Sequence, residues 1–129
     1  MKAQLGVEDC VSITTMLVDG VVVTRAAGEI DAHSVDTVRA EVVQQLDQGP
    51  PSFVLDLSEV AFFASAGVHM LIEQSRRAQQ RGAVFVVVAD QRAVLHTLET
   101  TGVLGMFTVF PTVPAAIHAL PARNAADHA

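Results

Sequence analysis

The five residues Phe63-Ala64-Ser65-Ala66-Gly67 carry the most pointed chemical signal in the chain. They join a strand pattern to a helix pattern, and their one hydroxyl falls where the helix begins. Two kinds of chemistry suit a serine there. Its side chain can cap the helix by accepting an orphan backbone N–H. It can instead be a modified or nucleophilic group, because the positive end of a helix favours negative charge such as phosphate. A hydrolase elbow, Gly-x-Ser-x-Gly, is only half present: Gly67 fits the second glycine, but Phe63 stands where the first should be. The chain is also short for an α/β-hydrolase, and no late histidine is placed as an evident base. The expectation is a protein that is not an enzyme.

The other polar residues are scattered. The histidines are His33, His69, His96, His118 and His128. Only His69 and Glu73 share the i, i+4 spacing that puts two side chains on one helix face. A metal site needs three or four ligands, so a solvated pair is expected and no metal. Glu29, Asp31 and Asp36 gather at the start of the first predicted helix, where acidic groups complement the helix dipole and cap its N–H groups. A role in recognising a partner is compatible with that. Asp56 sits at a strand end, as a turn-former or a group that supports others. Cys10 reads as a bystander. No cofactor is expected, since there is no cysteine pair, histidine cluster or glycine-rich phosphate loop.

These residues are set in 129 positions with a net charge of −6, half of them hydrophobic and only 5% aromatic. That length is one domain, given that domains commonly run to about 100–150 residues. High apolar content with few charges excludes a disordered chain. Net acidity speaks against a reader of nucleic-acid phosphates and against an anionic membrane surface. One cysteine allows no internal disulfide. The first ten residues hold no apolar signal-peptide core, and the longest apolar run, residues 83–89, is far short of the about 20 residues that span a bilayer. The expected location is the cytoplasm.

The elements that position the serine follow from periodicity. Residues 11–18 and 21–24 are β-branched runs flanking Asp19-Gly20, which predicts a hairpin. Gly28-Glu29-Ile30-Asp31 breaks that pattern, and Asp31 and Ser34 are candidate caps for the helix that follows. Val35, Val38, Val42, Val43 and Leu46 recur at helical spacing, and Gly49-Pro50-Pro51 ends that helix. Residues 53–57 form a short apolar strand and residues 58–64 a connection. Ser65 comes next, followed by a second helix pattern through Val68, Leu71, Ile72, Ser75 and Ala78, and Gly82 sits where a left-handed C-terminal cap fits. Residues 84–88 are a buried strand, 93–101 a helix, 107–110 a strand and 111–120 a last helix with Pro114 in its first turn. Residues 121–129 read as a flexible polar tail. The order is β-β-α-β-α-β-α-β-α, an α/β domain with a mixed sheet of about five strands and about four helices.

Three stretches in this order resemble a known family. Gly28-Glu29-Ile30-Asp31 resembles the Gly-Glu-Leu-Asp that ends the second strand of anti-sigma factor antagonists. Val54-Leu55-Asp56-Leu57-Ser58-Glu59-Val60 and Ala64-Ser65-Ala66-Gly67-Val68 look like that family's strand and phosphorylation loop. Leu98-Glu99-Thr100-Thr101-Gly102-Val103-Leu104 is similar to its Leu-x-x-x-Gly-Leu segment. The family is the STAS domain, the sulfate transporter and anti-sigma factor antagonist domain. The resemblance implies a single domain over residues 1–120, in stand-alone form. It implies a partner-switching regulator: the unmodified antagonist binds an anti-sigma factor with serine kinase activity, and a sigma factor is freed. The kinase then phosphorylates the antagonist and a PP2C-type phosphatase resets it. Ser65 aligns with the phosphorylated serine. The family loop is Asp-Ser-Ser/Thr-Gly; here Ala64 replaces the Asp and Ala66 the second hydroxyl residue, so Ser65 is the loop's only hydroxyl.

The expected partner-binding face is Asp31, Phe63, Ala64, Ser65, Ala66, Gly67 and Val68, presented by a monomer or weak dimer without nucleic acid or membrane. A second reading is a STAS subunit of a lipid-transport ABC system, which need not be phosphorylated and so suits the altered loop.

Overall fold

The structure is a computed structural model and describes residues 10–120. The expected tail over 121–129 lies outside the described residues. β1 (Val11–Val18) and β2 (Val21–Ile30) form the hairpin. Its two-residue turn places Asp19 at φ 52° and Gly20 at φ 81°, the left-handed pair that a tight hairpin turn requires. α1 (Val35–Asp47), β3 (Ser52–Phe63), α2 (Ser65–Gln80), β4 (Val84–Val88), α3 (Arg92–Thr100), β5 (Thr108–Phe110) and α4 (Val113–Ala119) follow. A single 3-10 turn, Leu104–Met106, precedes β5. The sheet order is β1-β2-β3-β4-β5, with β1 antiparallel to β2 and the remaining pairs parallel.

Parallel neighbours in sequential order, joined by right-handed crossovers, must put their connecting helices on one face of the sheet. The cores match this. Val38, Val42 and Leu46 of α1, Leu71 of α2 and Leu98 of α3 pack with Ile30, Phe53, Leu55 and Val87. Alternate strand residues point the other way, and Val23, Val54, Val86 and Val88 pack with Ala116 and Ile117 of α4. The first half of β3 and the end of β4 thus bury both faces, which is why residues 53–55 and 84–88 read as apolar runs. α4 starts with Thr112, whose Oγ1 accepts the N–H of Ala115 at 3.2 Å.

Two strand boundaries differ from the sequence expectation. β2 does not break at Gly28 but continues to Ile30, and β3 runs through residues 58–63 instead of becoming a connection. The two extensions supply each other's hydrogen-bonding partner, pairing Ala27 with Glu59 and Ile30 with Phe63. Two register shifts along this pair insert extra residues into β3, as β-bulges do. Gly28 is needed where β2 bends: its φ is +111°, and a Cβ there would lie 2.2 Å from the carbonyl oxygen of Cys10.

Asp56 explains how the first irregularity is held. Its side chain is 1% exposed. Oδ1 accepts from the Ser58 N–H at 2.9 Å and from Ser58 Oγ at 2.7 Å. Oδ2 accepts from Arg25 Nε at 3.1 Å. The carboxylate therefore satisfies a backbone donor at the bulge and joins β3 to β2. The carbonyls of Leu57 and Val60 accept from Gln91 Nε2 at 2.7 and 2.8 Å.

Candidate functional site

Open parallel sheets present their strand C-termini and helix N-termini along one edge, and ligand or partner sites collect there. Here that edge is built by the ends of β2 and β3 and the starts of α1 and α2. The two strand ends are tied together by Ala64 N–H donating to Ile30 O at 2.9 Å.

The loop after β2 is closed from within. Asp31 Oδ1 accepts the N–H groups of His33 at 2.9 Å and Ser34 at 3.0 Å. Ser34 Oγ accepts the Asp31 N–H at 3.0 Å and donates to Glu29 O at 2.7 Å. Ser34 stands at the α1 N-cap position but makes no side-chain capping bond, so of the two expected caps it is Asp31 that collects the free amides. The Ser34 N–H above all holds the Asp31 carboxyl below its usual value; desolvation offsets part of this, and His33 adds to the lowering. Asp36 pairs with Arg39.

Ser65 is the first residue of α2, not its cap. Ala64 occupies the cap position in an extended conformation, φ −92° and ψ 174°. Alanine has no capping oxygen, and the Ser65 hydroxyl, which is exposed, has no hydrogen-bond partner among the described residues. The Ser65 and Ala66 amides likewise have no acceptor there, and no acidic residue stands in the first turn. The result is an outward hydroxyl at the positive end of a 16-residue helix.

The neighbouring residues divide by depth. Ala64 and Ala66 are half-buried beside Ser65, and Asp31 is partly exposed. Gly67 and Val68 are buried, and so is Phe63, at 3% exposure. These three shape the face from beneath. The exposed aromatic is Phe62, at 51%. Periodicity did not separate the two phenylalanines, because the bulges in β3 reset which residues point inward. A shallow cavity of about 330 Å³ lies next to Phe62 and Phe63, walled by Ala93, His96 and Thr97 of α3. Thr97 Oγ1 donates to Phe63 O at 3.0 Å and fixes that wall.

His69 and Glu73 are not brought into a metal site. Glu73 Oε1 accepts from Arg39 Nε at 2.9 Å, which ties α2 to α1. Among the described residues no group of three metal-ligating side chains converges. No described helix is long and apolar enough to cross a membrane.

This arrangement places one exposed hydroxyl, Ser65, at the edge built by the ends of β2 and β3 and the starts of α1 and α2. A family model described as the STAS domain matches residues 12–116. The chain belongs to the STAS domain family. Its sequence is 28% identical over 109 residues to the anti-sigma-F factor antagonist RsfB of Mycobacterium tuberculosis, covering 84% of this chain and 88% of that one. It is 26% identical over 102 residues to the anti-sigma F factor antagonist of Paenibacillus polymyxa, covering 78% of this chain and 85% of that protein. Among solved structures, an anti-sigma factor antagonist from Mycobacterium paratuberculosis superposes with a TM-score of 0.80 at 29% identity. That match covers 86% of this chain and 94% of the other. Unphosphorylated SpoIIAA shares the fold, with a TM-score of 0.67 at 20% identity over 82% of this chain and 93% of that one. The β-β-α-β-α-β-α-β-α order is that of the STAS fold.

Proposed function

We propose that this protein is a cytoplasmic anti-sigma factor antagonist, a binding protein without catalytic activity of its own. Its partner is an anti-sigma factor with serine kinase activity, and its docking face surrounds Ser65. In this reading the unmodified protein occupies the anti-sigma factor and frees a sigma factor. Phosphorylation of Ser65 ends the contact, and a PP2C-type phosphatase restores it. The observation that carries the reading is the Ser65 hydroxyl: exposed, without a hydrogen-bond partner, and at the start of α2.

The physics of the switch is local. A phosphate brings about −1.5 to −2 charges to the residue. Two amides without acceptors and the helix dipole favour that charge at the end of α2. The same group must be desolvated if a partner closes over it, and a few kcal/mol at the centre of an interface changes affinity by two or more orders of magnitude. Ser65 is the only hydroxyl in its loop, so phosphorylation there has one possible address.

The test is incubation of the purified protein with its cognate anti-sigma factor and ATP, followed by intact-mass measurement. One phosphate is expected on the wild type and none on Ser65→Ala. Modification persisting in Ser65→Ala, or none in the wild type, refutes the switch.

Ala64, where the family pattern carries Asp, favours one other reading, a STAS subunit of a lipid-transport ABC system. Affinity purification from the native cell separates the two, since that subunit would bring down a transporter ATPase and no sigma regulator.

A further inference from the structure

The two edges of the sheet are unlike. β5 is an edge of three residues, short enough to offer little for another strand to join. β1 is an edge of eight residues, Val-Ser-Ile-Thr-Thr-Met-Leu-Val, with no charge, no proline and no bulge against β2. Edge strands normally carry at least one of those devices, because an open row of backbone N–H and C=O groups is a template for a further strand.

The hairpin phase shows which groups are open. A two-residue turn makes Val18 and Val21 a hydrogen-bonded pair, so Ser12, Thr14, Met16 and Val18 bond to β2. Cys10 O, which accepts the Glu29 N–H at 2.7 Å, continues the same phase. The N–H and C=O groups of Val11, Ile13, Thr15 and Leu17 therefore face away from the sheet. On the same strand Leu17 is 71% exposed and Met16 38%.

We propose that β1 pairs with β1 of a second copy of this chain, antiparallel and centred on Thr15. In that register Thr15 faces Thr15 of the other copy and exchanges both backbone hydrogen bonds with it. Leu17 lies directly opposite Ile13, and Met16 opposite Thr14. The exposed apolar end of each strand thus covers the partly buried apolar start of the other, and the pairing is its own complement. Such an edge-to-edge contact is a two-fold, closed association. It yields a continuous sheet of ten strands with α1 to α3 of both copies on one face.

Its size sets its strength. One pair of strands overlapping over residues 12–18, with Ile13, Met16, Leu17 and Val18 as its apolar side chains, falls at or below the low end of specific interfaces, under about 1,200 Å². The dimer is accordingly weak and dissociates on dilution. Each copy carries a net charge of −6, so added salt, by screening that repulsion, favours it. The two-fold axis stands perpendicular to the sheet and reverses strand direction between copies. The two Ser65 faces then lie at opposite edges of the ten-stranded sheet, and neither is covered. Association is independent of the state of Ser65.

The test is sedimentation of the full chain across a concentration series at low and high salt, with amide exchange read by NMR at both ends of the series. The wild type is expected to form a dimer at the upper end, more so in salt, and Ser65→Ala to match it. Amides of Ile13, Thr15 and Leu17 gain protection with concentration, while those of Thr14 and Met16, already bonded, do not. Leu17→Lys, a change at an exposed side chain, keeps the melting temperature of the dilute wild type and stays monomeric throughout. A wild type that remains monomeric, a Leu17→Lys protein that dimerises as well, or a dimer whose odd-numbered β1 amides stay unprotected would each overturn the proposal.

Discussion

The ring of Phe63 fills the space beside the Gly67 backbone: a Cβ on residue 67 would stand 2.6 Å from Phe63 Cε1 and 2.8 Å from Cζ. The last residue of β3 and the first turn of α2 are thereby packed directly on each other, with Ser65 between them. Phe63 is buried, so shifting its ring to admit a methyl disturbs the residues packed around it.

Gly67→Ala sets two effects against each other. An alanine inside a helix is favoured over glycine by about 1 kcal/mol. Overpacking against a buried ring costs about 1–3 kcal/mol. The second effect is the larger, and a net loss of about 1 kcal/mol in urea unfolding is expected. A more stable variant would show that Phe63 moves freely.

The buried Asp56 depends on Arg25. Arg25→Ala leaves a carboxylate at 1% exposure with only the two Ser58 donors. Arg25 is 47% exposed, so the pair is partly screened, and the loss is expected at roughly 1–3 kcal/mol. Asp56→Asn on the Arg25→Ala background removes the stranded charge, so the double variant costs less than the sum of the two single ones. Strict additivity would mean that the two side chains do not interact.

Asp31 makes a signed prediction with pH. Its carboxyl is held below the ordinary 3.8 in the folded protein, chiefly by the Ser34 N–H. A lowered folded-state value means that its contribution is complete above the unfolded-state value and is lost as pH falls through the folded one. Below about pH 4 the wild type should lose stability more steeply than Asp31→Asn, and the two curves should converge in acid. Parallel curves from pH 7 downward would contradict this role.

The order of elements was legible because most strands and helices bury a regular stripe. The helical spacing from Val35 to Leu46 and the apolar run from Val84 to Val88 needed no tertiary information. The second half of β3 was hidden for a physical reason. Polar Ser58 and Glu59 interrupt the apolar run, and the bulges reset its alternation, so only the neighbouring β2 reveals a strand. The same irregularity left periodicity unable to tell the phenylalanines apart: Phe63 is buried and Phe62 exposed. Ser65 could be placed at a helix start but not one position inside it. Capping preference points to a hydroxyl residue, whereas the cap is Ala64, whose N–H is satisfied by Ile30 across the strand ends. Arg25 and Asp56, 31 residues apart, and the Gln91 bonds to Leu57 and Val60 left no periodic trace.

The central claim, that the Ser65 face is a phosphorylation-controlled docking site, is tested most directly by one titration. The chain has no tryptophan, so the intrinsic tryptophan emission of an anti-sigma factor that contains one reports on that partner alone. The cognate anti-sigma factor is titrated with unmodified protein, with Ser65→Ala, and with protein phosphorylated at Ser65. The unmodified protein and Ser65→Ala are expected to bind alike, and the phosphorylated form at least about 100-fold more weakly. Equal affinity of the phosphorylated and unmodified forms would contradict the account.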